Sequence, residues 1–600
     1  MAKAKSYNGI SLLFGLTFIS PVIYSLLAFE MDVVQRMFFF AVSLLLLMVF
    51  ISKYKSDKPV HLNKFLSALI IIFPFSLLTA LFNNSASLII LKFSDIVIPI
   101  CIILQSAFLF LILREDKFFK VVSYSVIIIS TLFSIIGVLE VFQIYILQLP
   151  SVRPPGSTLG HRSFAAEYLL PSLPFFLIIR EFVKKEVKII LFIAAIINVS
   201  FLLFTRNRSG IIILIVIIIL YLVFILLNKE RRSKLKSSIP VFGVLMISFF
   251  ISLIPVEGTE RPDLETTAKT VFDTEYKSNV LRMNFWNASL LMIEENPFIG
   301  IGVYKWSGYY PKYHGDYFKD DNLTYVHNTH AHNDFLELGA ESGISSALIF
   351  LLIFIAIAFS LFKRIKQNEK YFPLLLSFLT TFAFSFVAFP NHKFSSSFLA
   401  AIIAGTILIT PGVNEKQKIN FKVSHLKWLI MIFMIFGTIT SFIRLRSEII
   451  FGEAIYLKER KQYAYMLQKL QGVSETLYPL DASKQPVDYY RAIANYYLGR
   501  YSDALKNNLS AQELAPFNPL IIRNVAGLYQ LLGNKKESVK HYEQIRKYFP
   551  NYIDAQINLL YLYSEVNQSE KEKMLFDDLM KKSPDNPRLL EYKSKFHSDQ

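Results

Sequence analysis

The chain has 600 residues, 53% of them hydrophobic, and a mean hydropathy of +0.41, which excludes an ordinary water-soluble enzyme. Repeated apolar runs of about 20 residues indicate a polytopic membrane protein instead, and the formal charge of +17 is carried mostly by loops. The single cysteine, Cys101, lies in an apolar run, so an intramolecular disulfide and a cysteine-built zinc site are both excluded.

Two lysines in Met1 to Lys5 precede an apolar segment from Ile10 to Phe29. That run is longer than the hydrophobic part of a signal peptide and lacks a small-residue cleavage site, so it reads as a retained first span. Further spans are predicted near 36–51, 64–82, 94–113, 119–147, 164–180, 187–204, 209–227 and 239–255, and after a long polar loop near 344–362, 371–389, 394–410 and 425–443. The expected fold is an all-α membrane bundle of about 12–13 spans over 1–443, with a large loop at 256–334 and a helical region at 444–600.

Orientation follows from lysine and arginine in the short loops. With a cytoplasmic amino terminus, the inside loops hold Lys53, Lys55, Lys58 and Lys64; Arg114, Lys117 and Lys120; Arg180, Lys184, Lys185 and Lys188; Lys229, Arg231, Arg232, Lys234 and Lys236; Lys363, Arg364, Lys366 and Lys370; and Lys416, Lys418, Lys422 and Lys427. All are basic, whereas the first outside loop carries Glu30 and Asp32 and the next, Asn83 to Ser87, carries no charge. The large loop and everything after Arg444 are then extracytoplasmic.

Cations on that disfavoured face need another reason to be there. They are Arg153 and Arg162 in Arg153-Pro-Pro-Gly-Ser-Thr-Leu-Gly-His-Arg162, Arg206 and Arg208 in Thr205-Arg-Asn-Arg-Ser-Gly210, Arg282 four residues before Trp286 on a helical stretch from Asn279 to Glu295, and Lys393 after Pro390-Asn-His392. Each alone could snorkel to lipid headgroups. Gathered together they suit an anionic ligand, and a pyrophosphate needs more than one bidentate arginine.

The large loop ends in His327-Asn-Thr-His-Ala-His-Asn-Asp-Phe-Leu-Glu-Leu-Gly-Ala-Glu-Ser-Gly343, set directly against the apolar run Ala347 to Leu361. Asp334 and Glu337 have the spacing of a capping box, which puts a helix start at Asp334 and His332 just before it. There the helix dipole disfavours a charged imidazole and favours a nearby anion, the setting a general base needs. The same residues allow a histidine that only hydrogen-bonds the loop, or a metal cluster of His327, His330 and His332.

His332-Asn333, nine residues and then Gly343 resembles the signature of the O-antigen ligase and polymerase superfamily, integral membrane glycosyltransferases that use polyprenyl-pyrophosphate-linked glycans. The glycine-rich continuation of the ligases is only partly present, because Ser345, Ser346 and Ala347 follow Gly343-Ile344. Thr205 to Gly210 is similar to the family's Ser-Arg-Gly-like turn, whose arginine falls on Arg208, with Arg206 the second choice. Arg282-Met-Asn-Phe-Trp-Asn-Ala leading to Asn296-Pro-Phe-Ile-Gly-Ile-Gly302 is similar to the family's arginine–tryptophan helix and Pro-x-x-Gly-x-Gly turn, and Gly156 to Ala165 looks like the turn that opens the homology region.

The resemblance spans roughly 150–410 and implies a GT-C-like bundle in a bacterial inner membrane. It implies that His332, Arg208 and Arg282 are catalytic, that Arg206, Arg162, His161, Arg153 and Asn333 bind substrate, and that undecaprenyl pyrophosphate carries the donor glycan. The acceptor is then a glycolipid, a growing glycan or a protein hydroxyl. No Walker lysine follows Gly300-Ile-Gly302 and no strand–helix alternation surrounds it, so nothing argues for a nucleotide donor; no cofactor, no metal and no nucleic acid is expected. The glycine pair reads as a turn, and Tyr304, Trp306, Tyr309, Tyr310, Tyr313 and Tyr317 as aromatics that could stack on sugars.

Past Arg444 the composition turns polar, and Pro516, Pro550 and Pro584 recur at 34-residue intervals, as do Gly499 and Gly533. The pattern Tyr490-x-x-x-Ala-x-Tyr-Tyr-Leu-Gly-Arg-Tyr-x-x-Ala504 is similar to the tetratricopeptide repeat, which implies a module for docking polypeptide or for bracing the large loop. The competing class is a non-enzymatic lipid-glycan transporter or flippase, which calls for ionisable residues deep in spans and two related halves. Neither is evident in the sequence.

Overall fold

The computed structural model describes residues 2–53, 59–76, 86–150, 152–233, 238–256, 264–270, 273, 275–318, 328–409 and 418–596. His327 and the loop residues Lys55, Lys58, Asn83, Lys234, Lys236 and Lys416 lie outside them. Eight of the described helices are long and apolar enough to cross a membrane, and Gly9–Val22, Ile239–Ser252, Tyr371–Phe384 and Phe394–Leu408 are shorter apolar helices. The chain is thus an all-α, multi-pass membrane protein. Helices are what hydrocarbon demands, since every backbone N–H and C=O must be paired within the segment.

The centre of the bundle is the pair Ala86–Leu113 and Phe394–Leu408. Ala400, Ala401, Ala404 and Gly405 let the two backbones approach, and Ser106 Oγ donates to the Ile402 carbonyl at 2.7 Å. At the periphery Arg208–Leu226 leaves Ile212, Ile215, Ile219 and Val223 exposed, an apolar face suited to lipid. The described residues contain one strand pairing, Pro59–Asn63 antiparallel to Lys418–Lys422, which ties two loops far apart in the chain.

One expectation is corrected inside the bundle. Ionisable residues do lie within the span helices: Arg36 and Arg444 each place a guanidinium nitrogen 2.6 Å from Asp95 Oδ1, Arg444 is 3.5 Å from Glu30, and the Tyr304 hydroxyl donates to the other Asp95 oxygen. Asp95 needs these partners because a lone buried carboxylate is costly. The cluster ties helices Met31–Lys53, Ala86–Leu113 and Val423–Glu459 to the large loop.

Val423–Glu459 runs without a break toward eight further helices, from Tyr463–Leu470 to Pro587–Phe596, each packed on the next in chain order. Their core takes in a residue of the large loop, Phe318, beside Ile522, Phe549 and Tyr552. Phe517 N–H donates to the Gly308 carbonyl at 3.2 Å. A Cβ on Gly308 would stand 2.7 Å from Ala515 Cα, and one on Gly315 would stand 1.5 Å from the Tyr548 carbonyl oxygen. The C-terminal helices therefore brace the loop directly.

Candidate active site

The helix after the polar stretch spans Asp334–Ser342, as its spacing predicts, but its cap is Asn333. Asn333 Oδ1 accepts from Phe335 N–H at 3.1 Å and Leu336 N–H at 3.0 Å, and its Nδ2 donates to the Phe386 carbonyl at 3.1 Å. Both ends of the amide are used inside the protein, so Asn333, grouped above with the substrate-binding residues, holds the turn. The capping box does not form either. With Asn333 as cap, Glu337 is the fourth helical residue and lies one position too far on, and its carboxylate turns to Ala331 N–H and His330.

His332 takes a φ of +53°, left-handed backbone that non-glycine residues seldom adopt. Trp286 Nε1 donates to its carbonyl at 3.4 Å, and its ring lies between Phe285 (5.8 Å, near-parallel) and Phe389 (4.9 Å, edge-on). None of the described residues hydrogen-bonds either ring nitrogen. Burial and the nearby Arg282 push its pKa down to about 4, so the ring is neutral.

A second feature fixes this turn from behind. Ile301 N–H and Gly302 N–H donate to the Ala340 and Glu341 carbonyls at 2.9 and 3.0 Å, and Ile344 N–H donates to the Pro297 carbonyl at 2.9 Å. The Pro297 to Gly302 turn is thus laced to the far end of the helix that starts beside His332. Gly300 (φ +76°) and Gly343 (φ +83°) are required there twice over, because a Cβ would also come within 2.3 Å of the Glu341 oxygen and 2.2 Å of the Phe298 oxygen respectively.

Three segments bring their basic residues toward this turn. His332 is in electrostatic reach of Arg282, Glu337, His161 and Arg153; Arg282 is in reach of Arg208 and of Glu167, and Arg162 in reach of Arg153 and Arg208. Burial and Arg208 lower the pKa of Arg282, the mark of a guanidinium crowded by its like. Arg282 touches Ser209 Oγ at 3.5 Å; Arg208 donates to the Thr270 carbonyl at 2.5 Å and to Ser278 Oγ, and stacks over Tyr276 at 4.5 Å. Among the described residues no carboxylate lies in ion-pair distance of Arg153, Arg162, Arg208 or Arg282.

Other predicted residues are placed differently. The Arg206 guanidinium is taken up by the Ser252 carbonyl at 2.6 Å and the Leu203 carbonyl at 3.4 Å, where it ties helix ends together. Lys393 pairs with Asp32 at 3.7 Å, so an internal partner explains this outlying cation. His161 caps helix Arg162–Ser172, its Nδ1 accepting from Ser163 N–H at 3.1 Å, and burial together with Arg153 lowers its pKa to about 4. Trp306 and Tyr310 are buried against Phe285 as the loop's own core rather than standing open for sugars, and Tyr304 binds Asp95. His392, which the sequence offered only as a neighbour of Lys393, stands 4.4 Å from the His330 ring.

No curated protein matches the chain. Residues 193–351, which run from the helix before Arg208 through Arg282 and His332 to the start of the next span, match the family model Wzy_C, described as O-antigen ligase. With that domain seated among its apolar helices, the chain fits the O-antigen ligase and polymerase superfamily.

Proposed function

We propose that this protein transfers a glycan from undecaprenyl pyrophosphate to an acceptor hydroxyl at the extracytoplasmic face of a bacterial inner membrane, in surface polysaccharide or glycoprotein assembly. The observation that carries this reading is a group of arginines with no carboxylate in ion-pair distance among the described residues, beside a neutral imidazole whose ring nitrogens no described residue hydrogen-bonds. His332 takes the acceptor proton as the hydroxyl oxygen attacks the anomeric carbon. The bond from that carbon to the pyrophosphate oxygen breaks, and the configuration inverts. Arg282 and Arg208, aided by Arg153 and Arg162, neutralise the departing diphosphate, so the chemistry rests on positioning and charge stabilisation without a metal at the reacting atoms.

The basic inside loops support a cytoplasmic amino terminus with the site on the far side. The C-terminal helices, read as tetratricopeptide-like, keep the large loop in register. The deciding experiment is transfer by purified protein with lipid-linked donor and acceptor and no ion gradient. Product formation that His332→Ala abolishes supports the enzyme; movement of donor across vesicles without a new glycosidic bond replaces it with a flippase.

A further inference from the structure

Two residues before His332 and stacked on the same Phe389 ring, His330 belongs to a different kind of cluster. Its Nδ1 lies 2.8 Å from Glu337 Oε1; His392 Nε2 lies 3.4 Å from the same oxygen and 3.7 Å from Asp334 Oδ1. The ligand-capable atoms of His330, Glu337 and His392 all fall within 4.8 Å of one another. The side chains of His330, Asp334 and Glu337 are 8%, 2% and 3% exposed.

Each carboxylate is held by one oxygen and offers the other. Glu337 Oε2 accepts from Ala331 N–H at 2.7 Å, and Asp334 Oδ2 accepts from Asn391 Nδ2 at 2.6 Å. Asp334 Oδ1 is buried and has no hydrogen-bond partner. Neither carboxylate has a lysine or arginine within ion-pair distance among the described residues. Of the cations nearby, Lys393 pairs with Asp32, Lys92 with Glu341, and Arg36 and Arg444 with Asp95, while Lys484 lines the same cavity, in electrostatic reach of His330 and His392 but in ion-pair distance of neither carboxylate. Two buried carboxylates with no cation in contact are costly, and one divalent ion would balance both.

We propose that His330, Asp334, Glu337 and His392 bind one divalent transition-metal ion of the zinc class. Two imidazole nitrogens and two carboxylate oxygens are a donor set that zinc accepts, and the oxygens not facing the cluster already carry the outer hydrogen bonds that orient such ligands. Tetrahedral bonds of about 2.0–2.1 Å put ligands roughly 3.3 Å apart, which the 2.8 and 3.4 Å contacts of Glu337 Oε1 bracket, and the ligand atoms of His330, Glu337 and His392 lie within 4.8 Å of one another. Asp334 Oδ1, 3.7 Å from His392 Nε2, stands beside this trio to complete the shell, which makes the ion structural. It clips the turn that carries His332 to the turn Pro390–His392, the two segments that meet at Phe389, and it takes no part in glycosyl transfer.

The test uses full-length protein purified without a histidine tag, stripped with a chelator and titrated with ZnCl2, with MgCl2 as comparison. The expected result is one zinc per chain by metal analysis and calorimetry, no heat with magnesium, and a rise in Tm on zinc addition. His392→Ala and Glu337→Gln weaken zinc binding by about a hundredfold or more and remove the rise in Tm, whereas His541→Ala, on helix Lys535–Tyr548, binds as wild type. If those variants do not fold, Co2+ bound to wild type decides: intense visible bands of a tetrahedral site support the proposal, and a weak octahedral spectrum overturns it. Absence of stoichiometric zinc, or equal binding by wild type and both ligand variants, shows that the cluster holds protons only and sinks the idea.

Discussion

His330 and His332 stand two positions apart in the chain and both pack on Phe389, yet their surroundings differ. His332 is in electrostatic reach of Arg282 and Arg153, and no described residue hydrogen-bonds its ring nitrogens; His330 contacts the Glu337 carboxylate and the His392 ring. The left-handed backbone at His332 accompanies this divergence, since an extended chain would send alternate side chains to the same face. The difference teaches that one turn can set an arginine-lined pocket and a carboxylate-bearing pocket beside the same aromatic ring. The first pocket suits turnover, the second suits anchorage.

The sharpest way to break the comparison is His332→Ala. It should lower transfer by about a hundredfold to ten-thousandfold, in the range for loss of a general base, with little change in Tm; residual activity near wild type in the reconstituted assay removes the base assignment. Arg282→Ala and Arg208→Ala come next. Each should lose on the order of 3 kcal/mol of transition-state stabilisation, roughly a hundredfold in kcat, while the protein still inserts and folds. Arg206→Ala should do the reverse, reducing folded yield in detergent with a nearly normal kcat in what folds, because its guanidinium is bound to backbone carbonyls.

On the structural side, Gly343→Ala forces a Cβ toward the Phe298 carbonyl at a left-handed position and should cost about 1–3 kcal/mol, read as a drop in Tm. The smallest effect is expected for Trp286→Phe, which removes the indole donor to the His332 carbonyl. Loss of about 1 kcal/mol there should appear as a several-fold fall in kcat with KM unchanged. A fall in Tm without a change in kcat would mean that Trp286 serves only the packing of the loop.

The apolar runs and the helix start at Asp334 were legible because both depend on neighbours in the chain: hydrocarbon length for the spans, local polar spacing for the start. The cap itself was misassigned, since Asn333 and Asp334 are equally good cap residues and only the pull of Ala331 and His330 on Glu337 decides between them. Arg208, Arg282 and His332 could be linked by the side of the membrane that the loop charges predict for them and by family resemblance. The partners of Lys393, Arg36 and Arg444 could not, because Asp32 and Asp95 lie on other helices far along the chain. A signal for Asp95 was present nonetheless, as a carboxylate inside the apolar run from Leu88 to Leu113.

The glycine contacts between the large loop and the C-terminal helices have a consequence for biogenesis. Gly308 and Gly315 abut backbone at Ala515 and Tyr548, which leave the ribosome some two hundred residues later. Every span is therefore in the bilayer before the loop can reach its finished shape. The loop around Gly308 and Gly315 matures late, after translation of the brace, so a half-made chain sits in the membrane with that loop unfinished.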